Sequence, residues 1–165
     1  MKPQPPEAPA QQPVLVGRVA WQQALRDGLR EPGAGFWMYS ERYEDWPLDE
    51  PEVVQGLRAW ALARRRSCVR MLARSYRDFP RDFPRFSRWR LECGYVVECR
   101  ELPPAIEAPP EGLWLRGERA VLALPAQGQR RSLVLRGARW QVSSEPFEQA
   151  WDLAEPGFAP DVLGL

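Results

Sequence analysis

Apolar positions along the chain follow two alternating patterns, a helical recurrence every three to four residues and short continuous runs of the kind found in buried strands. Trp21, Ala24, Leu25, Gly28 and Leu29 recur at i, i+3, i+4, i+7 and i+8, which predicts a helix over residues 19–30 stopped by Pro32 and Gly33. Residues 36–40 are large and apolar on both alternating faces, bounded by glycine before and charges after, and predict a central strand covered on two sides. Asp49 then reads as a helix N-cap, with Pro51 and Glu52 in the first turn, Val53, Leu57, Trp60 and Ala61 facing inward, and Arg64, Arg65 and Arg66 at the C-terminal end where the dipole favours cations.

Residues 68–73 and 95–99 read as further strands. Between them the near-repeat Asp78-Phe-Pro-Arg, Asp82-Phe-Pro-Arg leads into a helix over 84–92 with Phe86, Trp89 and Cys93 inward, since proline is tolerated in a first helical turn. This alternation predicts parallel strands joined by right-handed crossovers. After the Pro-rich loop 103–112, short strands are expected at 113–116, 119–124 and 132–135, the first pair closed by a tight turn at Gly117-Glu118. A last helix begins near Ser144, with Phe147, Ala150, Trp151 and Ala154 on one stripe. The expected fold class is therefore α/β, with a mixed, mostly parallel central sheet flanked by helices.

The 165 residues suit one domain, placed at 14–155 between a disordered Pro/Gln-rich tail at 1–13 and a C-terminal tail at 156–165. Apolar residues at 44% and charged residues at 27% are ordinary globular usage. No run reaches the roughly 18 apolar residues of a membrane span, and residues 1–12 lack a signal core, so a cytoplasmic location is expected. Cys68, Cys93 and Cys99 form an odd set without Cys-x-x-Cys spacing, which argues against a disulfide framework and a zinc knuckle.

Charge changes this picture. The net value of +1 hides ten arginines at residues 64–90 against Asp78 and Asp82, about +8 locally, so the remainder sums to about −7. Arg74, Arg77, Arg81 and Arg85 fall at or just after the end of the second core strand, where open α/β sheets tend to bind ligands, and are the candidate anion-binding residues. Tyr76, Phe79, Phe83, Phe86 and Trp89 interleave with them, a mixture used by single-strand nucleic-acid binders. The competing account makes the aromatics core and the arginines a solvated face, and lysine occurring only at Lys2 also fits a GC-rich coding sequence. The eight tryptophans are assigned to packing. Glu41, Glu44, Asp45, Asp49, Glu50 and Glu52 match no calcium loop and are assigned to solvent. No cofactor or metal is called for, and a cysteine nucleophile would lack a histidine base, since the chain contains no histidine.

The segments FWMYSERYEDWPLDEPEVVQGLRAWA, SCVRMLARS, RDFPRFSRWRLECGYVVECRE and EPFEQAWDLA, in this order of elements, resemble one half-unit of the phospholipase D-like superfamily, whose closing helix bears a Phe-x-x-x-Trp spacing matched by Phe147 and Trp151. Catalytic members carry His-x-Lys followed after four residues by Asp on the hairpin strand, whereas residues 113–122 here hold neither histidine nor lysine. The chain is thus similar to the degenerate, non-catalytic phospholipase D-like domains of uncharacterised bacterial proteins. What this implies is a module that is not an enzyme, and the arginine-rich surface of residues 64–90 directs it at nucleic acid or a phosphorylated ligand. The alternative is a protein-interaction or scaffold domain that self-associates as a homo-oligomer, acidic side against basic face.

Overall fold

The computed structural model describes residues 13–64, 68–125 and 128–159. Most of the expected N-terminal tail, the end of the C-terminal one, and Arg65 and Arg66 lie outside them. The elements are β1 (Val14–Val16), α1 (Arg18–Arg30), β2 (Gly35–Tyr39), α2 (Pro51–Ala63), β3 (Cys68–Ala73), α3 (Phe79–Asp82), α4 (Pro84–Glu92), β4 (Val97–Glu101), β5 (Gly112–Leu115), β6 (Arg119–Ala123), β7 (Arg131–Arg136), α5 (Ala138–Leu153) and β8 (Glu155–Pro156).

Among the described residues the strands form one sheet in the order β1-β7-β6-β5-β2-β3-β4-β8. Only β2–β3 and β3–β4 are parallel; the other five pairings are antiparallel. The expectation of a mostly parallel sheet is therefore corrected. A parallel pair needs a crossover of a dozen or so residues, and α2 and the α3–α4 segment provide those that join β2 to β3 and β3 to β4. Between β4 and β7 the chain returns by shorter links, such as the turn 116–118 in which Gly117 takes φ 78° and the Glu118 N–H donates to the Leu115 carbonyl at 3.0 Å, and the long α5 connection then leads into β8, which pairs antiparallel with β4. The terminal strands β1 and β8, too short for any periodic signal, add antiparallel edges.

Both faces of the sheet are covered, which is why β2 reads as an unbroken apolar run. One face packs Phe36, Met38, Val69, Met71, Leu113 and Leu115 under Trp21, Leu25, Leu57, Phe86 and Trp89 of the helical layer formed by α1–α4. The opposite face packs Leu72, Trp114, Ala120 and Leu122 under Phe147, Ala150 and Trp151 of α5 alone. That last helix starts at Ala138, six residues before the expected Ser144, and runs through Pro146 in its interior. A proline lacks a backbone donor, the usual signature of a helix start, and so it points to a boundary later than the true one. The added turns carry Trp140 to within 6.3 Å of the Trp37 ring.

Asp49 does not cap α2, whose N-cap is Glu50 without a side-chain bond. Its Oδ1 instead accepts the backbone N–H groups of Arg85 (2.7 Å) and Phe86 (3.1 Å), satisfying the first turn of α4 from 36 residues upstream. The cap is real but belongs to a helix that has none of its own.

Candidate functional site

The arginine segment begins where β3 ends. Its interleaved aromatics all turn inward: Tyr76, Phe79, Phe83, Phe86 and Trp89 are 0–7% exposed and contact one another edge-on or tilted. They are core, and no base can stack on them. What the segment leaves in solvent includes Arg77, Arg81, Arg85 and Arg88 together with Asp78 and Asp82.

The four sequence-predicted residues are held by different parts of the fold. Arg74 is half-buried, and its Nη1 donates to the Pro103 carbonyl at 2.6 Å. Arg77 is exposed, with its backbone N–H on the Ser75 hydroxyl (3.2 Å). Arg81 lies 3.1 Å from Asp82 and 3.9 Å from Asp78, and Arg85 lies 3.4 Å from the Asp49 carboxylate. Arg77 just before α3, Arg81 on α3, and Arg85 and Arg88 on α4 are each exposed, while Arg74 belongs to the mouth of the sheet. Two other arginines of the basic run leave the surface: Arg70 lies over the Trp37 and Trp151 rings at 5.1 and 5.4 Å, and Arg90 is buried.

A second concavity has no signature in the sequence. At the carboxyl end of β2 and the entry to β5, Tyr39, Ser40, Glu41, Arg42, Glu44, Asp45, Glu111 and Arg130 line a polar cavity of about 500 Å³. The chain is locked there by Tyr43, whose buried hydroxyl donates to the Leu72 carbonyl at 2.7 Å and sits 3.0 Å from that of Met38. The Tyr39 hydroxyl is buried, with the Arg74 guanidinium as its polar neighbour; burial raises its pKa, and Arg74 opposes the rise. Glu111 accepts the Trp46 indole N–H at 3.0 Å and lies 3.7 Å from Arg130.

The acidic stretch assigned to solvent is for the most part engaged. Asp45 pairs with Arg18 and Arg130, Glu50 with Arg26, and Glu52 with Arg30, leaving Glu41 and Glu44 open. Residues 41–52 meet partners up to 85 positions away, which no local pattern signals. The available clue is topological, since carboxyl ends of strands gather side chains from several elements.

Burial raises the pKa of Glu111 more than its indole and guanidinium partners lower it. Such a carboxyl binds its proton more readily folded than unfolded, so its contribution to stability is present at acid pH and lost as pH rises through the raised value. Glu111→Gln keeps an acceptor for Trp46 and removes the ionisation. The variant should lose less melting temperature than the parent as pH rises from the usual carboxylate range to neutrality, a small effect readable by calorimetry. Parallel pH profiles would show the carboxyl to be fully solvated.

The strand on which the family resemblance would place its histidine and lysine is β5, where Leu113, Trp114 and Leu115 are 0–1% exposed and face the two cores. No family model matches the chain, and no curated protein matches it. Solved structures do. TrmBL2, an archaeal chromatin protein whose structure is described as showing a novel mode of DNA binding, superposes with a TM-score of 0.66 at 15% identity over 92% of this chain and 56% of that one. This chain thus spans little more than half of the chromatin protein's length. Nuc from Salmonella typhimurium, a phospholipase D family member, superposes with a TM-score of 0.52 at 12% identity over 89% of this chain and 99% of that one. Identities this low speak for architecture alone, and the architecture is phospholipase D-like.

Proposed function

We propose that this domain is a non-catalytic phospholipase D-like module that binds an anionic partner, nucleic acid or a phosphorylated ligand, through Arg77, Arg81, Arg85 and Arg88, with Arg74 at the margin. The observation that carries the reading is the sorting of the 74–90 segment, with its aromatics in the core and these guanidinium groups in solvent. Such a surface meets phosphates and not bases, so binding is electrostatic and indifferent to strandedness and sequence. The fold shared with a DNA-binding chromatin protein supports nucleic acid as the partner. The non-catalytic part rests on a histidine-free sequence and on leucines filling β5.

Fluorescence anisotropy with labelled single- and double-stranded DNA across a salt series tests this. Both ligands should bind at low salt, with log K falling linearly in log salt. The combined variant Arg77→Gln, Arg81→Gln, Arg85→Gln, Arg88→Gln should weaken binding by about 100-fold or more and flatten the salt slope by roughly one unit for each phosphate no longer neutralised. No binding at low salt, or full binding by the quadruple variant, overturns the proposal.

The scaffold reading keeps one specific support. Beside α5 an apolar groove of about 960 Å³ is lined by Ile106, Ala108, Leu122, Leu133, Pro146 and Leu153, and Leu153 is 58% exposed. A second copy of the chain would cover it through apolar contact. For the charge-against-charge version of self-association the acidic side offers Glu41 and Glu44, since Asp45, Asp49, Glu50 and Glu52 are paired within the chain. Light scattering without nucleic acid, giving a dimer insensitive to salt, would favour this second reading.

A further inference from the structure

Arg90, in the last turn of α4, is 4% exposed, and among the described residues no carboxylate pairs with it. Its Nη2 donates to the Phe158 carbonyl over a long 3.3 Å, and the guanidinium carbon lies 6.0 Å from the Phe158 ring centroid. Among the described residues Nε and Nη1 are buried with no nitrogen or oxygen partner, and the Cys99 sulfur is the weak acceptor beside the guanidinium. The Cys99 thiol beside it is pushed up to about 11 by burial, against the pull of Arg90 itself, so it stays neutral near pH 7 and brings no counter-charge. The negative end of the α4 dipole offsets roughly half an elementary charge at best. A buried cation left in this state is costly to the fold, and burial of a charge is ordinarily matched by a partner.

The guanidinium borders a cavity of about 540 Å³ whose lining includes Gly94, Cys99, Gly157 and Phe158, a size within the range of small-molecule sites. Glu98 also lines it, but its carboxylate is bound to Arg100 at 2.9 Å. We propose that this cavity is a binding site for a small molecule bearing an oxyanion, phosphate or carboxylate, with Arg90 as the residue that receives the charge. A planar fork with unused N–H groups fits either group, which presents paired oxygens. The site differs in kind from the surface of Arg77, Arg81, Arg85 and Arg88: its single guanidinium is buried, and an aromatic ring lies beside it.

The test is thermal unfolding of the full chain at constant ionic strength, with millimolar inorganic phosphate or acetate replacing chloride. At roughly tenfold above the dissociation constant, either anion should raise the melting temperature by about 3–6 °C. Arg90→Met should raise the anion-free melting temperature and abolish the shift, while Arg81→Gln with Arg85→Gln should leave it intact. The Arg90 Nε–H resonance of the unaltered protein should move on adding phosphate, a readout that stands if Arg90→Met fails to fold. No shift and no resonance change in the parent protein overturn the proposal, as does a shift that persists in Arg90→Met. It also falls if Asp161→Asn lowers the parent melting temperature but not that of Arg90→Met, since the chain's own carboxylate would then be the occupant.

Discussion

Gly35→Ala should cost at least about 3 kcal/mol of stability, enough to unfold a large share of the protein on mild heating. Gly35 opens β2 with φ 127°, a backbone region essentially closed to residues that carry a Cβ. A methyl group added there would meet the Cys68 carbonyl oxygen at 2.4 Å, an atom of the neighbouring parallel strand that cannot rotate away. Relief requires moving β2 against β3, where five residue pairs from Gly35↔Cys68 to Tyr39↔Leu72 set the register of the central pair. Urea unfolding of parent and variant measures the difference. A loss below about 1 kcal/mol would mean that the two strands do not approach as described.

Phe147→Ala is the second large effect, at about 3–5 kcal/mol. Phe147 is fully buried and packs on Trp37 (5.3 Å), Trp114 (5.2 Å) and Trp151 (5.9 Å), so its ring is the hub of the layer between α5 and the sheet. Several helices share the other face, whereas this one depends on α5, and no neighbouring helix can slide in to fill the hole. Three tryptophans touch the deleted ring, so the destabilisation should be accompanied by a change in tryptophan emission of the folded protein. Unchanged stability and emission would show that α5 docks through other residues.

Much of this architecture is legible in the sequence because local pattern and tertiary environment agree. The bounds of β3 and α4 match the apolar run at 68–73 and the proline-opened helix at 84–92, and β2 is apolar on both faces because both faces are covered. Agreement fails where a signal has two meanings. Pro146 imitates a helix start inside α5, and Asp49 caps a helix other than the one it precedes. Parallel pairing holds through β4 and stops there, since nothing in the short strands β5–β7 states their direction except the lengths of their links.

The candidate site was legible only as a region. A count of arginines cannot separate Arg81 in solvent from Arg70 between two indoles or Arg90 in the interior, because that sorting is set by which strand face and helix face each residue occupies. Nor does sequence distance reveal that Asp45 answers Arg130 or that Asp49 answers Arg85. The polar cavity at Tyr39 and Glu111 is assembled from stretches far apart in the chain, and no motif spans it.

The outermost strands of the sheet, β1 and β8, are three and two residues long. A border this brief offers an incoming chain only a handful of unpaired amide and carbonyl groups, too few to template a further strand. Despite its many strands, the protein should therefore resist ribbon-like growth into fibrils, and whatever it assembles with must be recognised by side chains on its flanks.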